Sequence, residues 1–536
     1  MTPEYKAEKE ASVSFLGGGG IWEINGITLA APVAALLWAL LQTRQGFFKP
    51  YTLPAGVTDF LIHCGGILFA TTIYSGGPQI LLALLLLPAV AVLSQPPSTA
   101  VTTSKPAAKP EQDGKPKAAD EPVSNAGLDP LPVKPFITTY RGAMMIITCT
   151  SILAVDFKVF PRRFAKTESF GTSLMDLGVG SFVFAAGIVA ARQQLKEQQS
   201  GSPSLLNRFK TAMRHSAPLL ALGLLRLWTV KGLDYAEHVS EYGVHWNFFF
   251  TLALLPPVIA VLQPVLRLIP SYGALAFVIG GIYECVLYFV PDMKVFLILS
   301  ERKPGDWLSQ NREGVFSCIG YLAIFIAGMG IGMSILPRDP GPELPEGKAA
   351  EKDVLDEDSE WLASVLGQEN QPAKASAPEP DFMPGIPKMA IAFLAKWTGI
   401  WFILAVWAMW RYGPHLFVSR RMANLAYIIW VCAFNTAQLL LFCAIETVMF
   451  PALYKAKDKA TERQRAQDAT SKVMQAFNRN GLALFLLANL LTGAINIAVP
   501  TWHMDDVPAM AILLAYIAVI CGVGLALDSY DVSIKL

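Results

Sequence analysis

Thirteen apolar stretches, each close to the ~20 residues a helix needs to cross a bilayer, constrain this chain more than any other feature. They fall at about 23–43, 57–74, 78–94, 137–157, 172–192, 214–231, 245–265, 270–290, 314–336, 390–411, 424–450, 479–499 and 507–527. The expected fold class is an all-α polytopic membrane protein of about thirteen transmembrane helices, with short charged luminal loops and two disordered loops. A 53% hydrophobic content, 16% charged residues and a mean hydropathy of +0.41 agree with that class. Arg226 and Lys231 interrupt the 214–231 stretch, and 57–74 with 78–94 reads either as two spans or as a tight hairpin.

Two connectors differ in kind. Residues 95–135 are rich in Pro, Ala, Ser and Lys, and residues 338–389 in Pro and acids, as in DVLDEDSEW. Neither has the apolar mass to fold alone, so both are expected to be disordered. Lys and Arg in the short loops set the orientation. Arg44, Lys49, Arg192, Lys196, Arg208, Arg267 and the basic run 455–472 share one side, assigned to the cytosol. The expected division is a luminal segment (1–22), transmembrane helices 1–3 (23–94), a cytosolic loop (95–135), a transmembrane core holding the active site (136–337), an acidic cytosolic loop (338–389) and C-terminal transmembrane helices (390–536).

Several chemistries are absent from the sequence. Lys+Arg 43 against Asp+Glu 42 leaves no basic surplus for nucleic acid. The seven cysteines lie in or beside apolar runs with no C-x-x-C pair, and are expected to be buried thiols. There is no nucleotide-binding G-x-x-x-x-G-K-[ST] loop, no G-x-S-x-G elbow, no H-E-x-x-H and no H-x-x-x-x-D. Any catalysis therefore uses groups from the helices and their short loops.

The richest such segment is AVDFKVFPRRFAKTESFGTSLMDLGVGSFVF (154–184). Charge this dense at the end of a span is costly unless it is paired, solvated or used. Asp156 closes one span and Lys166 follows ten residues later, beyond Pro161, which lets the chain fold back. The two side chains are expected to meet, either as an ion pair anchoring a loop or as an acid–base pair acting on a hydroxyl. Arg162 and Arg163, on the side opposite the cytosolic bases, suit an anionic headgroup. Asp176 stands one turn into the next span, and Gly178 and Gly180 admit either a neighbouring helix or a ligand chain. In YAEHVSEYGVHWNFFF (235–250), His238 and Glu241 lack the further ligands a metal needs, whereas His245, with Asn247 beside it, reads as a general base or an interface anchor. Arg312, and the pair Arg420–Arg421, suit phosphate or a snorkelling role.

The runs YRGAMMI (140–146), 154–184, EHVSEYGVHWNFF (237–249), NREGVFS (311–317), SRRMANL (419–425) and NGLALFLLANLLTG (480–493) resemble the GPI inositol acyltransferase family. The likeness runs from about residue 20 to the C-terminal IKL, outside the two expected disordered loops, and the acidic 338–389 loop departs from the family. The resemblance implies a multi-pass enzyme of the endoplasmic reticulum membrane. It would move a fatty acyl group, typically palmitoyl, from acyl-CoA to the inositol 2-hydroxyl of glucosaminyl-phosphatidylinositol. No bound cofactor is implied; palmitoyl-CoA is the donor, and the other partners are membrane lipids. The family's acid and lysine fall on Asp156 and Lys166, with Arg162 and Arg163 on phosphate and the helices around 172–192 and 245–265 forming the acyl groove. The alternatives are His245 as the base and, outside enzymes, a lipid or amphiphile transporter.

Overall fold

Each of the thirteen apolar stretches is helical in the computed structural model, which describes residues 3–96, 128–199, 204–232, 241–266, 268–338, 388–412, 417–456 and 458–534. Most of the two expected disordered loops, and Glu237 and His238, lie outside the described residues. A short polar helix, α1 (Pro3–Val13), precedes α2 (Ile21–Gln45), α3 (Leu53–Thr71), α4 (Pro78–Ser94), α5 (Pro135–Ala154), α6 (Leu174–Gln199) and α7 (Leu205–Gly232). Then come α8 (Phe248–Leu266), α9 (Tyr272–Phe289), the single turn and a half of α10 (Met293–Ile298), α11 (Trp307–Ile335), α12 (Lys388–Tyr412) and α13 (Leu425–Met449). The polar α14 (Lys459–Asp468) and amphipathic α15 (Lys472–Arg479) lead into α16 (Gly481–Ala498) and α17 (Asp506–Ser529).

Among the described residues, 11 helices are long and apolar enough to cross a membrane. The other two of the thirteen expected segments are α4 and α7. α4 has 17 residues, about 25 Å at ~1.5 Å per residue, slightly less than the hydrocarbon core. α7 has 28 residues but carries Arg208, Lys210, Arg214, Arg226 and Lys231. The chain is thus an all-helical, multi-pass membrane protein.

The centre of the bundle is the crossing of α6 with α11, flanked by α5, α9 and α13. A Cβ on Gly187 would stand 2.2 Å from the Phe325 carbonyl oxygen, and one on Gly328 2.1 Å from that of Phe184, so the two backbones touch. Small residues produce this closeness in membranes, where dispersion and backbone proximity replace the hydrophobic effect between helices. Cys64, Cys149, Cys432 and Cys521 are buried thiols as expected, whereas Cys285 is exposed.

The loops at one end interlock. Gly19 N–H donates to the Thr172 carbonyl at 2.7 Å, Glu168 N–H to that of Leu16 at 3.1 Å, and Gly171 N–H to that of Val418 at 2.8 Å. Val244 N–H donates to the Gln310 carbonyl at 3.0 Å, and Tyr5 and Lys9 reach Thr501 at 3.4 and 3.3 Å. One face therefore gathers the segment before α2, the 155–173 turn, the turn before α8, the start of α11, the 417–424 turn and the α16–α17 turn. Lys49 and Arg192, both expected to be cytosolic, lie at the other end, where Lys49 pairs with Asp468 at 2.5 Å and Arg192 donates to the Leu131 carbonyl at 2.6 Å.

Candidate active site

Asp156 sits in the turn that closes α5, and two side chains from distant parts of the chain hold it. Lys9 Nζ lies 2.9 Å from Oδ1, and Asn496 Nδ2 donates to Oδ2 at 2.8 Å. Lys9 also donates to Asn496 Oδ1 at 2.9 Å, closing a small ring of polar contacts. Lys166 does not meet Asp156. Its ammonium lies 2.9 Å from Glu241 Oε1 and 3.1 Å from Oε2. The fold-back at Pro161 occurs, but the 3-10 turn Arg162–Phe164 leads Lys166 to the turn before α8 rather than back to α5.

Glu241 begins a line of alternating charge. Arg420 Nη2 is 3.5 Å from Glu241 Oε1, and Arg420 Nε is 2.6 Å from Asp176 Oδ1. Asp176 is fully buried, and its Oδ2 accepts from Thr167 N–H (3.0 Å), Thr167 Oγ1 (2.7 Å) and Ser173 Oγ (2.8 Å). Two cations and two anions thus run from Lys166, which is 40% exposed, to the interior. Burial pushes the Glu241 carboxyl up, but Lys166 and Arg420 outweigh it and hold it down at about 2. Burial pulls the Arg420 guanidinium down, and Glu241 and Asp176 reverse this and raise it well above its usual value. The Arg420 guanidinium also lies 5.9 Å from the Tyr242 ring, while Tyr427 OH donates to the Asp176 carbonyl at 2.7 Å.

Arg162 shapes its own loop. It donates to the carbonyls of Val155, Phe157 and Phe160, each at 2.8 Å, and lies over the Trp502 ring at 5.1 Å. Burial lowers its pKa to about 10 against the raising effect of Asp156. A guanidinium so engaged fixes the turn that presents Asp156. Arg163 Nε donates to Glu23 Oε1 at 2.6 Å, tying the same turn to α2. His245 lies in the turn before α8, with its backbone N–H on Asn311 Oδ1 at 2.8 Å. Asn311 has φ −122° inside α11, a kink that aims its side chain at that turn. Asn247 is a cap: its Oδ1 accepts from Phe249 N–H at 3.0 Å and its Nδ2 reaches the Gly223 carbonyl at 2.9 Å, joining α7 to α8.

The two glycines after Asp176 separate in role. A Cβ on Gly180 would meet Val431 Cγ2 at 2.5 Å, which makes Gly180 a helix-packing position. A Cβ on Gly178 would meet nothing within 4 Å, because Gly178 lines a small cavity of about 40 Å³ between α6, α5 and α13. Leu174, Leu177, Ala143, Ile147 and Phe434 make its wall apolar. The 245–265 stretch lines a different space, a groove of about 530 Å³ between α7 and α8 bordered by Phe209, Met213, Trp246 and Phe250. The two stretches expected to share one groove therefore face two. Arg312 and Arg421 meet at neither; both converge on Glu313, with Arg421 Nη2 2.8 Å and Arg312 Nε 3.6 Å from its Oε1.

The chain matches the GWT1 family over residues 5–527. It is 48% identical to GPI-anchored wall transfer protein 1 of Aspergillus oryzae, covering 100% of both chains. It is 47% identical to the protein of that name from Gibberella zeae (100% of this chain, 99% of the relative) and 36% identical to that of Saccharomyces cerevisiae (99% of both). The chain belongs to the GWT1 family. Within this GWT1 chain, the residues that sequence reasoning missed are partners rather than centres. Lys9, Asn496, Trp502 and Glu23 fix the Asp156 turn, and Arg302 joins Arg312 and Arg421. Glu241 stood out as half of an incomplete metal pair, and is instead the counter-ion of Lys166.

Proposed function

We propose that this GWT1-family chain acts in GPI-anchor biosynthesis in the endoplasmic reticulum membrane. The reaction is transfer of a palmitoyl group from acyl-CoA to the inositol 2-hydroxyl of glucosaminyl-phosphatidylinositol. The observation that carries the chemistry is a line of buried and half-buried charge, Lys166–Glu241–Arg420–Asp176, whose Glu241 lies in the turn leading into α8, a helix that walls an apolar groove of about 530 Å³. Acyl transfer needs this juxtaposition: polar groups for the reacting atoms and a dry space for the chain.

In this reading Asp156 accepts the proton of the inositol hydroxyl. Lys9 and Asn496 engage one position on each carboxylate oxygen, leaving lone pairs on both for an incoming hydroxyl. The alkoxide oxygen attacks the thioester carbonyl, forming the C–O bond. The tetrahedral oxyanion then collapses, the C–S bond breaks and the CoA thiolate leaves, taking up the proton that Asp156 received. Lys166 has three N–H donors, of which Glu241 engages at most two, so one remains for the oxyanion or for a lipid phosphate. Glu241, Arg420 and Asp176 are positioning residues that hold Lys166 in place. The apolar groove between α7 and α8, about 530 Å³, takes the acyl chain.

The test uses purified protein in detergent with labelled palmitoyl-CoA and glucosaminyl-phosphatidylinositol. Transfer by the unaltered chain, and its loss in an Asp156→Asn variant of unchanged melting temperature, is the expected result. Full turnover by Asp156→Asn, with loss in His245→Ala, would move the base to His245.

A further inference from the structure

A second charged cluster lies on the same face and, among the described residues, does not balance. The Glu313 carboxylate, 1% exposed, receives Arg302 through two contacts, Nη2–Oε1 at 2.8 Å and Nη1–Oε2 at 3.1 Å. Arg421 adds Nη2–Oε1 at 2.8 Å, and Arg312 adds Nε–Oε1 at 3.6 Å, beyond hydrogen-bond length. Arg312 and Arg421 alone, 2% and 7% exposed, outnumber the single carboxylate they share. The Lys166–Glu241–Arg420–Asp176 line, by contrast, is neutral.

The imbalance has an atomic counterpart. Arg312 Nη2 donates to the Ser300 carbonyl, but its Nε and Nη1 have no hydrogen-bond partner, nor does Arg421 Nε. Buried guanidinium N–H groups without acceptors are costly, and arginine does not escape the cost by losing its proton. A missing anion is the simplest completion. Forked N–H donors from two guanidiniums match the oxygens of a phosphate ester better than a second carboxylate from the chain.

The setting says where such a phosphate comes from. α9 ends and α11 begins beside the cluster, and Tyr288, Phe289, Leu299 and Trp307 are 74%, 74%, 75% and 55% exposed. Aromatic and apolar side chains exposed at the ends of membrane helices mark the headgroup level. The way in passes Arg302, at 22% the most exposed of the three arginines.

We propose that Arg312 and Arg421, with Arg302 at the rim, form a binding site for the headgroup phosphate of a membrane phospholipid, with Glu313 as the internal counter-ion that the phosphate displaces in part. The site is separate from the Asp156 turn and is independent of the acyl-transfer reading, because it is tested by binding without turnover.

The experiment measures binding to the delipidated full-length chain in detergent. The probes are dioctanoyl-phosphatidylinositol, adenosine 3′,5′-bisphosphate as the phosphate-bearing end of the acyl donor, and dioctanoylglycerol as a phosphate-free control. Phosphatidylinositol is expected to bind the unaltered chain, and about tenfold or more weakly to Arg312→Gln and Arg421→Gln. Glu313→Gln is expected to bind it several-fold more tightly, because a competing anion is gone; loss of mere scaffolding would not tighten anything. Should Arg421→Gln fail to fold, Arg421→Lys keeps the charge without the fork and is expected to bind at intermediate strength. If adenosine bisphosphate responds to these substitutions and phosphatidylinositol does not, the lipid assignment is overturned and the site belongs to the donor nucleotide. Equal binding by all folded variants, or by dioctanoylglycerol, overturns the phosphate site itself, as does weaker binding in Glu313→Gln.

Discussion

Glu241→Gln is the substitution that best tests the charge line. In the native chain Lys166 and Arg420 hold the Glu241 carboxyl at about 2 instead of its usual 4.5, which favours the charged form by about 3 kcal/mol. Removing the charge leaves Arg420 with Asp176 alone and releases Lys166, so Glu241→Gln is expected to lower stability by about 3 kcal/mol. The lysine is 40% exposed, so solvent screens part of its share, and a double-mutant cycle with Lys166→Met should return a coupling of only about 1 kcal/mol. The sign of the pH dependence follows from the lowered value. The contribution is complete above pH ~4.5, fades as pH falls through that value toward 2, and does not change between pH 6 and 8. Equilibrium unfolding in mixed micelles at several pH values measures all three quantities. A Glu241→Gln loss below ~0.5 kcal/mol, or a Glu241-dependent change between pH 6 and 8, would refute the alternating-charge account.

Four further outcomes follow. Gly178→Ala is expected to keep the parent's melting temperature within a few degrees, since nothing stands within 4 Å of the new Cβ; thermal unfolding measures this. Gly180→Ala meets Val431 at 2.5 Å and is expected to cost about 1–3 kcal/mol in the same micelle unfolding assay. Asp176→Asn leaves Arg420, which is 2% exposed, with only Glu241 at 3.5 Å, and should cost about 3 kcal/mol, with Arg420→Gln added in the same chain recovering part of it. Lys9→Met should lower kcat with the melting temperature within a few degrees of the parent, because Asp156 loses its partner on Oδ1 but keeps Asn496 on Oδ2.

The helices were legible because long apolar runs are a local property. Each stretch, including the charge-bearing α7, is helical where hydropathy placed it. The site was legible only as an inventory of charges. Asp156 and Lys166 stand ten residues apart in sequence, and a proline between them suggested that they meet. Their partners, Asn496 and Glu241, come from elements 340 and 75 residues away, and only helix docking chooses them. Nothing in the sequence around Lys9 distinguishes it from Lys6 as a partner for that turn. The glycine pair shows the same limit: Gly178 and Gly180 are two positions apart, face opposite sides of α6, and so differ in role through neighbours that the sequence does not display.

The segment before α2 ties residues near 5–23 to loops that a ribosome delivers far later. Tyr5 bonds Thr501, Glu8 bonds Trp502 and His503, and Lys9 bonds Asn496. During synthesis Lys9 is available to Asp156 early, but the chain must insert nearly all of its helices before Asp156 acquires its second holder, Asn496. Until then the turn that carries the proposed base is held on Oδ1 alone. Chains halted before residue 496 should leave α1, residues 3–13, open to protease from the face where it packs in the finished molecule. Assembly of this centre is thus a check on the completeness of membrane insertion.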